Sequence, residues 1–231
     1  MKKHFEQELE RLYKSITAQA TLVETAVRNS ILAFSERAED LALFVIIGDD
    51  TLDANEVRIE EECLKVLALH QPVASDLRHI VTLLKVNREL ERIGDLAVNI
   101  SERALHFLKS EARIDTLDFT EMFRLVSALL KNALDSFLFR DTVLAEKVIE
   151  GDNEIDAAHR ENIERIKNRL REGPDGMEPL LDLLTVSRNL ERIADGCVNI
   201  GEDVIYQEQG RIIRHAREGV RNESPKGGSQ K

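Results

Sequence analysis

The chain has 231 residues, 32% of them charged and 42% hydrophobic, with a formal net charge of −11 and four prolines. This balance excludes a disordered chain, and the acidic excess argues against nucleic acid or anionic lipid as a partner. With no Trp and only 4% aromatics, a core must be built from Leu, Ile, Val and Ala. The two cysteines, Cys63 and Cys197, lie in no zinc spacing and read as reduced, small apolar residues of a cytoplasmic protein. The longest apolar run, LALFVII at Leu41–Ile47, is too short to span a bilayer, and MKKHFEQELE at the N-terminus lacks the apolar stretch of a signal peptide.

Hydrophobic periodicity predicts six helices and no strand. The first runs roughly from Lys3 to Ala38. The second covers Asp40 to His70, with an interruption expected at Gly48. The third starts near Pro72, where proline suits a first turn, and ends near Lys109. After the polar stretch EARIDTLD, a fourth helix covers Phe119 to Phe139. A fifth runs from Asp141 to Arg171, with Gly151 in the place of Gly48. The loop EGPDGMEP leads to a sixth, Leu180 to Arg217, and the tail NESPKGGSQK has a disordered composition.

The two halves repeat. GDDTLDA at Gly48 aligns with GDNEIDA at Gly151, an offset of 103 residues. VNRELERIGDLAVNISE at Val86 aligns with VSRNLERIADGCVNIGE at Val186, an offset of 100, with eleven of seventeen positions identical. The fold predicted is all-α: two tandem pseudo-symmetric three-helix bundles. The first is assigned to residues 1–112 and the second to 113–217, with a disordered tail at 218–231.

On the third helix, Val86, Leu90, Ile93, Ala97, Ile100 and Ala104 fall within roughly 40° of one line and predict the core stripe. Arg88, Glu91, Asp95, Asn99 and Glu102 fall on the opposite side. The sixth helix copies that polar stripe with Arg188, Glu191, Asp195, Asn199 and Glu202. A solvated face is the simplest account. Against it, Glu91 and Asp95 are like charges at i,i+4, which disfavour a bare helix, and the pair recurs as Glu191 and Asp195.

The second helix carries a matching set. Asp49, Asp53, Glu56 and Glu60 are spaced i, i+4, i+7, i+11 and share one face. The fifth helix offers Asp152, Asp156 and His159, with Ile163 where the first half has Glu60. Antiparallel neighbours would bring these edges together, and converging carboxylates require protons, arginines or a cation. Oxygen-rich sites suit hard metals. The cofactors expected are divalent or trivalent metal ions: iron, Mn, Mg or Zn. A buried ferritin-like centre is not indicated, because Glu-x-x-His does not occur.

Other chemistry is sparse. There is no G-x-S-x-G, Walker A loop or Rossmann fingerprint. His4, His70, His79, His106 and His215 read as surface or interface residues. Asp76, opening the third helix, reads as helix-start electrostatics. Two further classes stay open on the residues alone: a metal-dependent hydrolase or oxidase, and a metal-storage bundle.

The paired ERIGDLAVNI and ERIADGCVNI blocks, with HQPVASDLR and the acidic stretches after Gly48 and Gly151, resemble the PhoU family of bacterial phosphate-transport regulators. The resemblance covers about residues 4 to 217. It implies a cytoplasmic, non-catalytic negative regulator of the phosphate-starvation response, often a homodimer and peripheral to the membrane only through partners. Those partners would be the ATPase subunit of the Pst phosphate transporter and a PhoR-type sensor histidine kinase, with no nucleic acid. It also implies metal clusters on the E/D-x-x-x-D faces, here Glu91/Asp95 and Glu191/Asp195 facing Asp49/Asp53 and Asp152/Asp156. Ile163 departs from the fuller acid set, so equal loading of the two halves is not expected.

Overall fold

The computed structural model describes residues 2–109, 119–173 and 176–213. Among these, six α-helices follow in order: α1 (Lys2–Ser35), α2 (Glu39–His70), α3 (Ala74–Lys109), α4 (Thr120–Phe139), α5 (Thr142–Glu172) and α6 (Met177–Gln209). Helices α1–α3 form one bundle and α4–α6 a second. The assigned boundary at 112/113 and the tail at 218–231 fall outside the described residues.

The helix ends have local causes. Arg37 closes α1 and Arg140 closes α4 with nearly equal left-handed φ values, 56° and 54°. Their separation is the same 103 residues seen between Gly48 and Gly151. Asp141 caps α5, its carboxylate accepting from the amides of Val143 and Leu144 at 2.9 and 3.0 Å. Gly210, at φ 67°, ends α6 eight residues before the expected stop; its amide bonds the Tyr206 carbonyl. Residues 214–217 of that expectation lie outside the described chain.

Three other expectations shift. Helix α2 runs unbroken through Gly48. Pro72 stands in the link before α3, because Gln71 has already turned left-handed to close α2. Helix α6 starts three residues early, with Pro179 inside its first turn, where no amide hydrogen is needed.

The predicted stripe of α3 is the centre of the core. Val86, Leu90, Ile93, Ala97 and Ile100 are all fully buried, as are their α6 counterparts Val186, Leu190, Ile193 and Ile200. Helices α3 and α6 lie antiparallel and join the bundles. Arg78 bonds the Gln207 carbonyl and Lys85 pairs with Asp203 at 3.0 Å; toward the opposite end, His106 reaches Asp182 at 2.6 Å. Between them Ile93 lies over Gly196, where an added Cβ would come within 3.0 Å of it. Tyr13 of α1 stacks on Phe137 of α4 at 5.9 Å, so apolar side chains of both bundles merge into one cluster. No helix among the described residues is long and apolar enough to cross a membrane.

Ile93 touches both bundles, so its loss opens a cavity at the seam. Ile93→Ala is expected to destabilise the protein by about 2–5 kcal/mol. Urea unfolding checks this through a lowered midpoint at unchanged m value.

Candidate metal centre

Two amide side chains fix the rotation of α2. Gln19 of α1 donates to the Leu52 carbonyl and Asn87 of α3 donates to the Glu56 carbonyl, each at 2.9 Å. Leu52 and Ile59 point into the core. The remaining edge of α2, with Asp49, Asp53 and Glu56, is thereby turned toward α3. Gly94 permits the close approach: a Cβ there would sit 2.9 Å from Leu52 Cδ1.

The result is convergence. Asp49, Asp53 and Asp95 each place a ligand atom within 4.8 Å of the other two. Asp49 is half-buried, and its Oδ1 is buried with no hydrogen-bond partner among the described residues. Glu91 and Glu56 flank the triad. Below it, Glu56, Glu60 and Glu91 line an open cleft of about 540 Å³ with Leu84, Lys85 and Arg88.

The electrostatics record the crowding. Partial burial, then Asp53 and Asp95, push the Asp49 carboxyl above its usual range. Asp95 is raised by burial and by Asp53. Glu91 is raised by burial and by four neighbours, Asp95, Glu56, Asp53 and Asp49. Glu56 moves the same way, opposed by Arg88.

The second half repeats the scaffold with different chemistry. His159 stands where α2 has Glu56, and its Nδ1 is hydrogen-bonded at 2.8 Å to Ser187, the counterpart of Asn87. Asp156 has Arg160 at 3.7 Å. Burial raises Asp195, but Arg92 from across the α3–α6 seam and Arg192 oppose the rise. Glu191 is raised by burial, Asp195, Asp156 and Asp152, against Arg188. Among the described residues, only the first half gathers three ligand atoms as closely.

This difference has a cause in sequence. Glu89 holds the Arg92 guanidinium through two hydrogen bonds, 2.8 and 3.1 Å, beside the seam. The equivalent of Glu89 on α6 is the neutral, buried Asn189, and Arg192 is exposed. The tethering roles of Gln19, Asn87 and Glu89 were not anticipated. Asn87 offered one signal, a polar residue beside Val86 on the core side of α3. The histidines are interface residues: His70 contacts Glu8 at 2.7 Å and His79 contacts the Tyr13 hydroxyl at 3.0 Å. His4 is exposed, and His215 lies outside the described residues.

Comparison with known proteins places this geometry. The PhoU domain model matches residues 16–104 and 119–204, one match per bundle. A phosphate-specific transport system accessory protein PhoU homolog of Aquifex aeolicus is 35% identical over 208 residues, covering 90% of this chain and 94% of that one. A homolog from Thermotoga maritima is 32% identical over 222 residues, covering 96% of each. The crystal structure of PhoU from Pseudomonas aeruginosa superposes with a TM-score of 0.86 at 33% identity, over 90% of this chain and all of that one. With both bundles matched in sequence and the whole architecture matched in three dimensions, the chain belongs to the PhoU family.

Proposed function

We propose that this chain is a non-catalytic regulator of phosphate homeostasis that links a Pst-type transporter ATPase to a PhoR-type sensor kinase. Its family and the phosphate-transport names of its relatives support the physiological setting. The observation that supports a mechanism is the carboxylate triad with its orphaned Asp49 oxygen.

Asp49, Asp53 and Asp95 would hold a cation, with Glu91 and Glu56 as the next ligands. An all-oxygen set suits Mg²⁺, Mn²⁺ or iron better than Zn²⁺. In the second half, Asp152, Asp156, Glu191, Asp195 and His159 would form a weaker site, because arginines already supply part of the positive charge. Glu60 stands on the cleft wall rather than in the triad. When bound, the ion neutralises the face and bridges α2 to α3. The residues do the rest: Gln19 and Asn87 hold the α2 carboxylates in place, and a partner would then meet a stiffer, less negative surface.

Metal analysis of protein purified without chelator tests the site. Glu91→Gln/Asp95→Asn should lose most of its metal, and Glu191→Gln/Asp195→Asn should lose less. Equal metal in the first variant and the wild type removes the site. Capture of the ATPase subunit and the kinase, with and without chelator, tests the switch. Chelator should weaken capture, and unchanged capture would leave the acids with no regulatory part.

The pH dependence has a definite sign. The raised carboxylates bind protons more tightly folded than unfolded. Their contribution to stability is therefore complete below the unfolded pKa, about 4, and is lost as pH rises through the raised folded values. Metal-free protein should show a falling Tm between mildly acidic and neutral pH. Asp95→Asn should flatten that fall, and added Mn²⁺ should restore Tm at neutral pH. A metal-free Tm that climbs over the same range would contradict the crowding.

A further inference from the structure

The acid face is not the only place where the halves differ. On the outer side of the first bundle, α1 and α2 frame an apolar groove of about 380 Å³ lined by Leu22, Ala26, Phe44, Ile47, Gly48 and Leu52, among others. Phe44 is 61% exposed and Ile47 73%. Val45 and Leu52, both buried, form the floor. A Cβ added at Gly48 would meet nothing within 4 Å.

The second bundle is an internal control. At the offset of 103, Leu43, Phe44 and Ile47 become Glu146, Lys147 and Glu150, all exposed and charged. Ala26 becomes Leu129, which is buried and fills the space beside Gly151, 3.0 Å from where a Cβ would lie. One scaffold thus exists in two versions: one plugged by its own leucine and rimmed with charge, the other hollow and rimmed with apolar side chains.

We propose that the hollow α1/α2 groove of the first bundle docks a cationic amphipathic helix from a partner protein, whose aliphatic anchor occupies the space that Leu129 fills in the second bundle. At the bottom of the groove Ala26 is three carbons smaller than the Leu129 that fills the equivalent space. The charge requirement comes from the groove's flanks: exposed Asp40 lies one turn before Phe44 and exposed Asp50 three residues after Ile47, each a helix-surface neighbour of an apolar lining residue. An occupant with basic residues beside its apolar stripe complements that potential. A second copy of this chain would set the same acids against themselves. The C-terminal residues 214–231 contain only Ala216 and Val220 as apolar side chains, too few for a helical stripe. The site is separate from the carboxylate triad and does not rest on metal binding.

The probe is a fluorescein-labelled synthetic helix of about 18 residues, with leucines on one face and lysines on the other. Its controls are a shuffled peptide of the same composition and a version with glutamate for lysine. Anisotropy with the full chain should show binding of the cationic amphipathic peptide over both controls. Phe44→Lys/Ile47→Glu copies the second bundle and leaves the net charge unchanged, so a purely electrostatic attraction would survive it. This variant should bind about tenfold more weakly, as expected when buried anchors are lost. Ala26→Leu, which plugs the groove, should do the same. Circular dichroism and Tm establish that each variant is folded, and the surface variant decides the matter if Ala26→Leu is not. Unchanged affinity in Phe44→Lys/Ile47→Glu would overturn the proposal. So would equal binding of either control peptide, or a wild-type dimer in sedimentation that this variant abolishes, since a second copy would then be the occupant.

Discussion

Burial of the α3 and α6 stripes against each other is the constraint from which the rest of the architecture follows. Ile93 packed over Gly196 leaves no freedom to rotate either helix. Buried Asp203 of α6 is met from α3 by Lys85 at 3.0 Å, and buried Asp182 by Arg103 at 3.6 Å and the His106 ring at 2.6 Å. At equivalent places the repeat has Thr82 and Arg103, so the seam is charge-complementary rather than symmetric. Removing one partner of such a pair leaves a buried charge unpaired, which disfavours any sliding of the halves. With α3 fixed, the ExxxD edge can only face the edge of α2.

That placement opposes the local preference of the residues. Glu91 and Asp95 repel along α3, and Asp49, Asp53 and Glu56 add to the repulsion from α2. A sheet of solvated acids would spread. Here the backbone tethers from Gln19 and Asn87, with the close approach at Gly94, hold the two edges together. Local strain held by a well-packed frame is a recurrent mark of functional sites. The second half relieves the same strain through its own Arg160 on Asp156 and through Arg92, reaching across the seam from α3 to Asp195. Two differences in the repeat make that relief one-sided: Arg160 stands where α2 has Val57, and Glu89 stands against Asn189.

The fold was legible in sequence because a period of 3.6 and a repeat of about 100 residues are both local patterns. All six stripe positions predicted on α3 are buried, and the four α2 acids stand beside α3: Asp49 and Asp53 close on Asp95, Glu56 and Glu60 in a cleft with Glu91. Helix ends were less legible. Gly48 sits in open space and is tolerated within α2, whereas left-handed Gln71 moved Pro72 out of α3. Contacts between the halves were the hardest to foresee. That Arg92 approaches Asp195 and not the reverse depends on the register of α3 against α6, which neither helix encodes alone. In the run LALFVII, alignment with LAEKVIE at the offset of 103 separates buried from exposed positions, because Leu43, Phe44 and Ile47 stand against Glu146, Lys147 and Glu150.

The duplicated chain therefore carries two unlike halves on one frame. In the second bundle Leu129 fills the groove, Arg160 stands beside Asp156 and Arg92 of α3 near Asp195, and Ser187 occupies a nitrogen of His159. In the first bundle the same positions give three converging carboxylates and an open apolar groove on different sides of α2. A single helix bearing both features gives a physical route between them. A cation held by Asp49, Asp53 and Asp95 would act on the segment of α2 that also carries Phe44, Ile47 and Gly48, within about two helical turns. Because α2 is unbroken there, a change in its seating against α3 would reach the groove with no loop between.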